Sequence, residues 1–167
     1  MKILVTAASR HGAAIEVADA IADQLSARGH TVITLPADRV GSAAGFDAVV
    51  IGSGVYMGRW LAPARSLVER DAAELQQRPV WLFSVGPLGD PPKPAEEPID
   101  AAPMRQASGA RDHRTFPGAL TRADLGLREK AILRVVGAPE GDFRPWEAIR
   151  SWADEINASL PPTTVAR

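Results

Sequence analysis

The chain has 167 residues, a formal net charge of −1, and 46% apolar against 23% charged residues. That length fits one domain burying roughly 70% of the surface its unfolded chain exposes, and the apolar content excludes a disordered chain. There is no cysteine, so disulfides, thiolate metal sites and cysteine nucleophiles are excluded, and near-neutral charge gives no general attraction for nucleic acid.

Met1 to Thr6 is apolar but stops at Ala7-Ala8-Ser9-Arg10. This is too short for a secretory leader or for the roughly 20 apolar residues of a membrane span. A cytoplasmic location is the expectation, with peripheral contact to a membrane surface left open. Lys2 to Thr6 reads as a strand buried on both faces of a parallel sheet, as do Asp47 to Gly52 and Val80 to Ser84. Ala14, Ala18, Ile21, Ala22 and Leu25 recur at helical spacing, with Glu16, Asp19 and Asp23 outside the stripe and Gly29 as a stop. Thr31 to Leu35 alternates apolar residues with threonine, as a peripheral strand does. Leu61, Ala64, Leu67, Val68 and Leu75 predict one further helix, with Pro63 in its first turn.

The stretch Gly86 to Gly118 holds seven of the 14 prolines and no apolar period, and reads as one long functional loop. His113 to Leu120 is the last strand expected, at a sheet edge because Pro117 cannot donate to a ladder. A helix is expected from Thr121 to Val136, with Thr121-Arg122-Ala123-Asp124 as a loose capping box and Gly137 as its stop. Trp146, Ile149, Trp152, Ala153, Ile156 and Leu160 make the final helical stripe. This order opens a doubly wound α/β fold, a single domain over residues 1–160 followed by a tail at 161–167.

Ligands of such sheets bind beyond the carboxyl ends of the strands. After the first strand, Thr6-Ala7-Ala8-Ser9-Arg10-His11-Gly12-Ala13 runs into a helix whose free N–H groups suit an anion; the same residues also fit an ordinary strand-to-helix turn with a hydroxyl cap. After the 47–52 strand, Ser53-Gly54-Val55-Tyr56-Met57-Gly58 and Trp60 offer close backbone approach and aromatic faces to a flat ring, or else a glycine turn whose aromatics are core. Ser84-Val85-Gly86-Pro87-Leu88 follows the next strand at the same edge. Three such loops at one edge describe a phosphate site beside a slot for a planar ring. His11, His30 and His113 show no metal-ligand spacing, and no catalytic residue is assigned.

Taken together, these motifs resemble the flavodoxin-like superfamily, most closely the flavodoxin-type protoporphyrinogen IX dehydrogenases and related actinobacterial flavodoxin-domain proteins. Ala8-Ser9-Arg10-His11-Gly12 is similar to that group's S-R-x-G phosphate loop. Ile51 to Trp60, Phe83-Ser84-Val85-Gly86, Phe116 to Leu120 and Asp142 to Ile149 match its further motifs in order. The resemblance implies a five-stranded parallel sheet of order 2-1-3-4-5 with helices on both faces, and FMN at the strand ends. It puts the phosphate on Thr6 to Ala13 and the isoalloxazine between Ser53–Gly58 with Trp60 and Ser84–Leu88. It gives the segment Gly86–Gly118 the substrate side. Where members carry a Thr or Ser after the loop glycine, this chain has Ala13 and Ala14. The implied function is an FMN-dependent dehydrogenase taking a small-molecule substrate and passing electrons to a quinone or redox protein. A flavodoxin-type electron carrier, and a flavin-free or deazaflavin-binding module of the same fold, are the alternatives.

Overall fold

The computed structural model describes residues 1–86, 97–121, 123, 125–137 and 139–161. Its sheet runs β2 (Thr31–Pro36), β1 (Lys2–Ala8), β3 (Ala48–Tyr56), β5 (Val80–Val85), β6 (Asp112–Phe116), all parallel. Apart from β4 (Arg59–Trp60), a two-residue arm antiparallel to the end of β3, this is the expected 2-1-3-4-5 order. Successive side chains of a strand point to opposite faces, so the apolar runs feed two cores. Ile3, Val5, Val50 and Phe83 pack under α1 (Ala13–Ala27) and α6 (Trp146–Ser159). Leu4, Val49, Ile51 and Leu82 pack on the other face under α2 (Ala62–Arg70), α3 (Ala72–Leu75) and α4 (Ala101–Ser108). Each fully buried Leu or Ile contributes about 1.5–3 kcal/mol, which is what holds the strand ends in register. No helix among the described residues is long and apolar enough to cross a membrane.

Several elements differ from the expectation. The segment expected to be a loop over 86–118 contains α4, ahead of β6, which falls where the last strand was expected. Pro103 lies in the first turn of α4, where a missing N–H costs nothing, and Gly109 closes the helix at φ 66°. Proline content therefore concealed a short helix whose buried positions are Ala101, Met104 and Ser108. The expected helix over 61–75 breaks at Asp71 (φ −101°, ψ 16°), whose carboxylate accepts from the Ala43 amide at 2.7 Å and from Arg70. The expected strand 113–120 stops at Pro117, and Ala119–Leu120 (β7) pairs instead with Gly141–Asp142 (β8). The helix expected from Thr121 begins at Leu127 (α5, Leu127–Val136). The Thr121–Asp124 box expected to cap it includes Arg122 and Asp124, which lie outside the described residues. The Glu129 carboxylate accepts from the Gly126 amide at 3.0 Å, the reciprocal half of a capping box.

Candidate functional site

At the carboxyl edge of the sheet the chain leaves β1 and turns into α1 within four residues, Ser9 to Gly12. The turn closes because Gly12 adopts φ 90° and the Ser9 hydroxyl accepts from the Ala14 amide at 3.2 Å. The hydroxyl cap of the bland reading is therefore real. Yet among the described residues no hydrogen bond takes the amides of Arg10, His11, Gly12 or Ala13. Among the described residues these donors have no acceptor, and they stand at the positive end of a 15-residue helix.

Charges converge on the same turn. The Arg10 guanidinium lies 4.0 Å above the Tyr56 ring centre. A single oxygen of Glu129, at the start of α5, sits 3.4 Å from both Arg10 Nη1 and His11 Nε2. The Gly126 amide, with the His11 and Arg10 charges, holds the Glu129 carboxyl below its usual range. Beside it, a cavity of about 100 Å³ is lined by His11, Ala13, Glu16, Leu120, Leu125 and Arg144 among others. Arg144 clamps its floor: Nε and Nη2 donate to Asp142 at 2.8 Å each, and Nη1 donates to Glu16 and to the Ala13 carbonyl. The Asp142–Arg144 pair thus ties the approach to α6 onto the first turn of α1.

The second wall is the β3–β4 hairpin. Tyr56 pairs with Arg59 across a two-residue turn, Met57 at φ 50° and Gly58 at φ 75°. Both residues are left-handed, as a type I′ hairpin turn demands, and the turn leaves the Met57 side chain 79% exposed. The third wall is Gly86, whose amide donates to the Phe116 carbonyl and where a Cβ would come within 2.5 Å of the Val55 Cβ. Lack of a side chain there lets the residue that follows β5 pack against Val55 at the end of β3.

The structure brings Ser9 to Ala13, Gly54 to Gly58 and Gly86 together at one edge, all exposed or half-buried. Other expected ligand residues turn inward. Thr6 is buried and donates to the Leu35 carbonyl at 2.6 Å; Ala7, Ala8 and Val85 are buried in the sheet. The Ser53 hydroxyl accepts from the Leu61 amide at 2.9 Å. Trp60, expected to flank a ring, is 2% exposed, and its indole donates to the Ser84 hydroxyl at 2.7 Å. Its bulk completes the core under α2, which leaves Tyr56 as the exposed ring of this loop. Gly52 serves the interior as well, since a Cβ there would lie 2.0 Å from Phe83 Cζ. Pro87 and Leu88 lie outside the described residues. Glu129, Arg144 and Glu16 went unassigned, because nothing local marks residues that meet across 118 to 128 positions of chain.

A family model described as "Flavodoxin domain" matches residues 4–144. The fold is shared with a flavodoxin from the domain Archaea (TM-score 0.65, 17% identity, 95% of this chain and 97% of that one). It is shared too with flavodoxin 1 from Bacillus cereus (TM-score 0.63, 12% identity, 96% and 100%). In rubredoxin oxygen:oxidoreductase from Desulfovibrio gigas (TM-score 0.66, 14% identity), 95% of this chain aligns with 35% of that longer one. No curated protein sequence matches. Parallel sheet order, a tight glycine turn from the first strand into the first helix and the family match over residues 4–144 agree: the chain belongs to the flavodoxin domain family, whose members are flavin-binding electron-transfer or oxidoreductase modules.

Proposed function

We propose that the chain is an FMN-dependent oxidoreductase. The observation that carries this reading is the run of amides at Arg10 to Ala13, without an acceptor among the described residues and set at the N-terminus of α1 beside the exposed Tyr56 ring. A phosphate monoester fits that donor set, and a helix N-terminus with adjacent cations is a general anion site. With Ala13 and Ala14 in place of hydroxyl residues, phosphate oxygens are met by backbone N–H groups, supplemented by Arg10 and His11. Tyr56, Met57 and Gly86 would border the ring, and Thr6, Ser53, Trp60 and Ser84 would hold those borders from beneath. When bound, FMN supplies hydride and single-electron transfer that no side chain here can perform. The protein's own part is to orient the ring, exclude water from one face and set the local charge. Porphyrinogen dehydrogenation, with a quinone or redox protein as acceptor, is the narrower form of this reading and rests on the motif resemblance alone.

The test is the visible spectrum of the purified chain, followed by titration with FMN and riboflavin. We expect flavin bands, with FMN held at least about tenfold more tightly than riboflavin, the equivalent of one charge-assisted hydrogen bond. A colourless protein indifferent to both flavins refutes the reading. Anaerobic turnover of protoporphyrinogen IX with a quinone would separate an enzyme from a carrier. An electron carrier is the second reading, favoured by the flavodoxins that share the fold. Against it stands the net charge of −1, since a strongly acidic surface is what steers a carrier to basic partners.

A further inference from the structure

We infer that His113 is a positioning residue that helps couple the β3–β4 hairpin to the carboxyl end of β5, and that it does so only while its imidazole is neutral. The inference rests on the flavin-site reading for its consequence, and on geometry for its existence. His113 lies on β6 with its side chain 3% exposed. Its Nε2 is 2.8 Å from the Ser84 hydroxyl, and its Nδ1 is 3.2 Å from Glu97 Oε1. The Ser84 hydroxyl also accepts from the Trp60 indole at 2.7 Å.

With the proton on Nδ1, every donor has one acceptor. Trp60 Nε1–H donates to Ser84, the Ser84 hydroxyl donates to Nε2, and Nδ1–H donates to Glu97. One ring therefore fastens Ser84, near the end of β5, to Glu97. The same assembly reaches the hairpin. The Ile99 amide donates to the Gly58 carbonyl at 2.9 Å, and the Trp60 amide donates to Asp100 at 2.9 Å. Asp100 also pairs with Arg59 at 3.5 Å. The turn that carries Met57 and Gly58 and the edge that carries Gly86 are thus joined directly by Trp60 and Ser84 and a second time through His113.

A second proton on the ring breaks this order. Nε2 becomes a donor, so Ser84 receives two donors while its own hydroxyl hydrogen loses its acceptor in the interior. The charged groups around the ring divide. Burial opposes the cation most strongly, and Arg105 on α4 opposes it too, whereas Glu97 and Asp112 favour it; the balance holds the imidazole below its ordinary value. Asp112 is otherwise engaged, accepting from the His113 amide, Arg114 and the Trp152 indole. A group with a lowered folded pKa contributes its full stability above the unfolded value, about 6.5 for histidine, and loses it as pH falls through the folded one. Mild acid should therefore loosen the hairpin and the end of β5 together.

The experiment measures FMN and riboflavin dissociation constants from about pH 8 to about pH 5, for the wild-type chain and His113→Gln. Alongside, hydrogen-exchange protection is followed at the Ile99 amide and Trp60 indole without flavin. In the wild type we expect both flavins to weaken together on acidification, by at most about tenfold per pH unit for one proton. Protection at Ile99 and Trp60 should fall over the same range. His113→Gln should bind more weakly at neutral pH and lose the pH dependence; Ser84→Ala, which removes the middle of the chain, should do the same. Three results would overturn the inference: pH dependence of riboflavin binding surviving in His113→Gln, a loss confined to FMN (which would trace to its phosphate), or protection indifferent to pH. A chain that binds no flavin yet loses protection in step refutes the flavin reading and upholds the role of His113.

Discussion

Replacing Gly52 with alanine tests whether this glycine serves the interior or a ligand. The position lies on β3 directly against the Phe83 ring: an added Cβ would sit 2.0, 2.2 and 2.4 Å from Cζ, Cε2 and Cε1. Phe83 cannot step aside freely, because it is fully buried and its ring meets Trp152 edge-on at 6.3 Å. Overpacking of this kind costs about 1–3 kcal/mol, and three ring atoms in collision put the expected value near the top, about 2–3 kcal/mol. At about 2–4 °C per kcal/mol for a chain of this size, Tm should fall by roughly 4–12 °C. Urea denaturation followed by far-ultraviolet circular dichroism gives the same quantity as a lowered midpoint at unchanged slope. A Phe83→Leu change in the Gly52→Ala background should recover part of the loss, with a coupling of about 0.5–3 kcal/mol as expected for residues in contact. Stability unchanged within about 0.5 kcal/mol, or strict additivity of the two substitutions, would refute the packing argument.

Gly12→Asp should abolish FMN retention while leaving riboflavin binding within about twofold, because it adds a like charge at the anion turn and a side chain at φ 90°; equal loss of both ligands by equilibrium dialysis would put the phosphate elsewhere. Glu129→Gln should strengthen FMN and inorganic phosphate binding by freeing Arg10 and His11 from the carboxylate 3.4 Å away. Weakened phosphate binding in a calorimetric titration would show that Glu129 orients those cations instead. Asp71→Asn should cost about 1–2 kcal/mol at neutral pH through weakened bonds to the Ala43 amide and Arg70. The Arg70 hydrogen bond chiefly holds the Asp71 carboxyl below its usual value. The charge contribution is therefore complete above the unfolded pKa, about 3.9, and lost as pH falls through the lower folded value. The stability gap between wild type and variant, measured by denaturant unfolding, should narrow only in that acid range.

How much was legible depended on how far each signal reaches along the chain. The strands β1, β3 and β5 were readable because a short apolar run bounded by polar residues fits a position buried on both faces and little else. The stripes of α1 and α6 were readable because apolar residues at intervals of three and four must share one face. The turn from Ser9 to Gly12 followed from its place between the two, and so did its exposure at the carboxyl edge. The short helix α4 escaped because its eight residues offer only three buried positions, among prolines that read as loop.

Chain order and local period thus determined the doubly wound α/β fold class and the turn from the first strand into the first helix, and the family resemblance carried the sheet order that the structure shows. Tertiary structure alone decided that Trp60 is core while Tyr56 is exposed, that Glu129 faces Arg10 and His11, and that His113 joins Ser84 to Glu97. The physical reason is range. A residue's period records which face it shares with neighbours a turn away, whereas a hydrogen bond between positions 29 apart depends on two strands lying in parallel register. That register is set by the packing of the whole sheet, and no local pattern carries it.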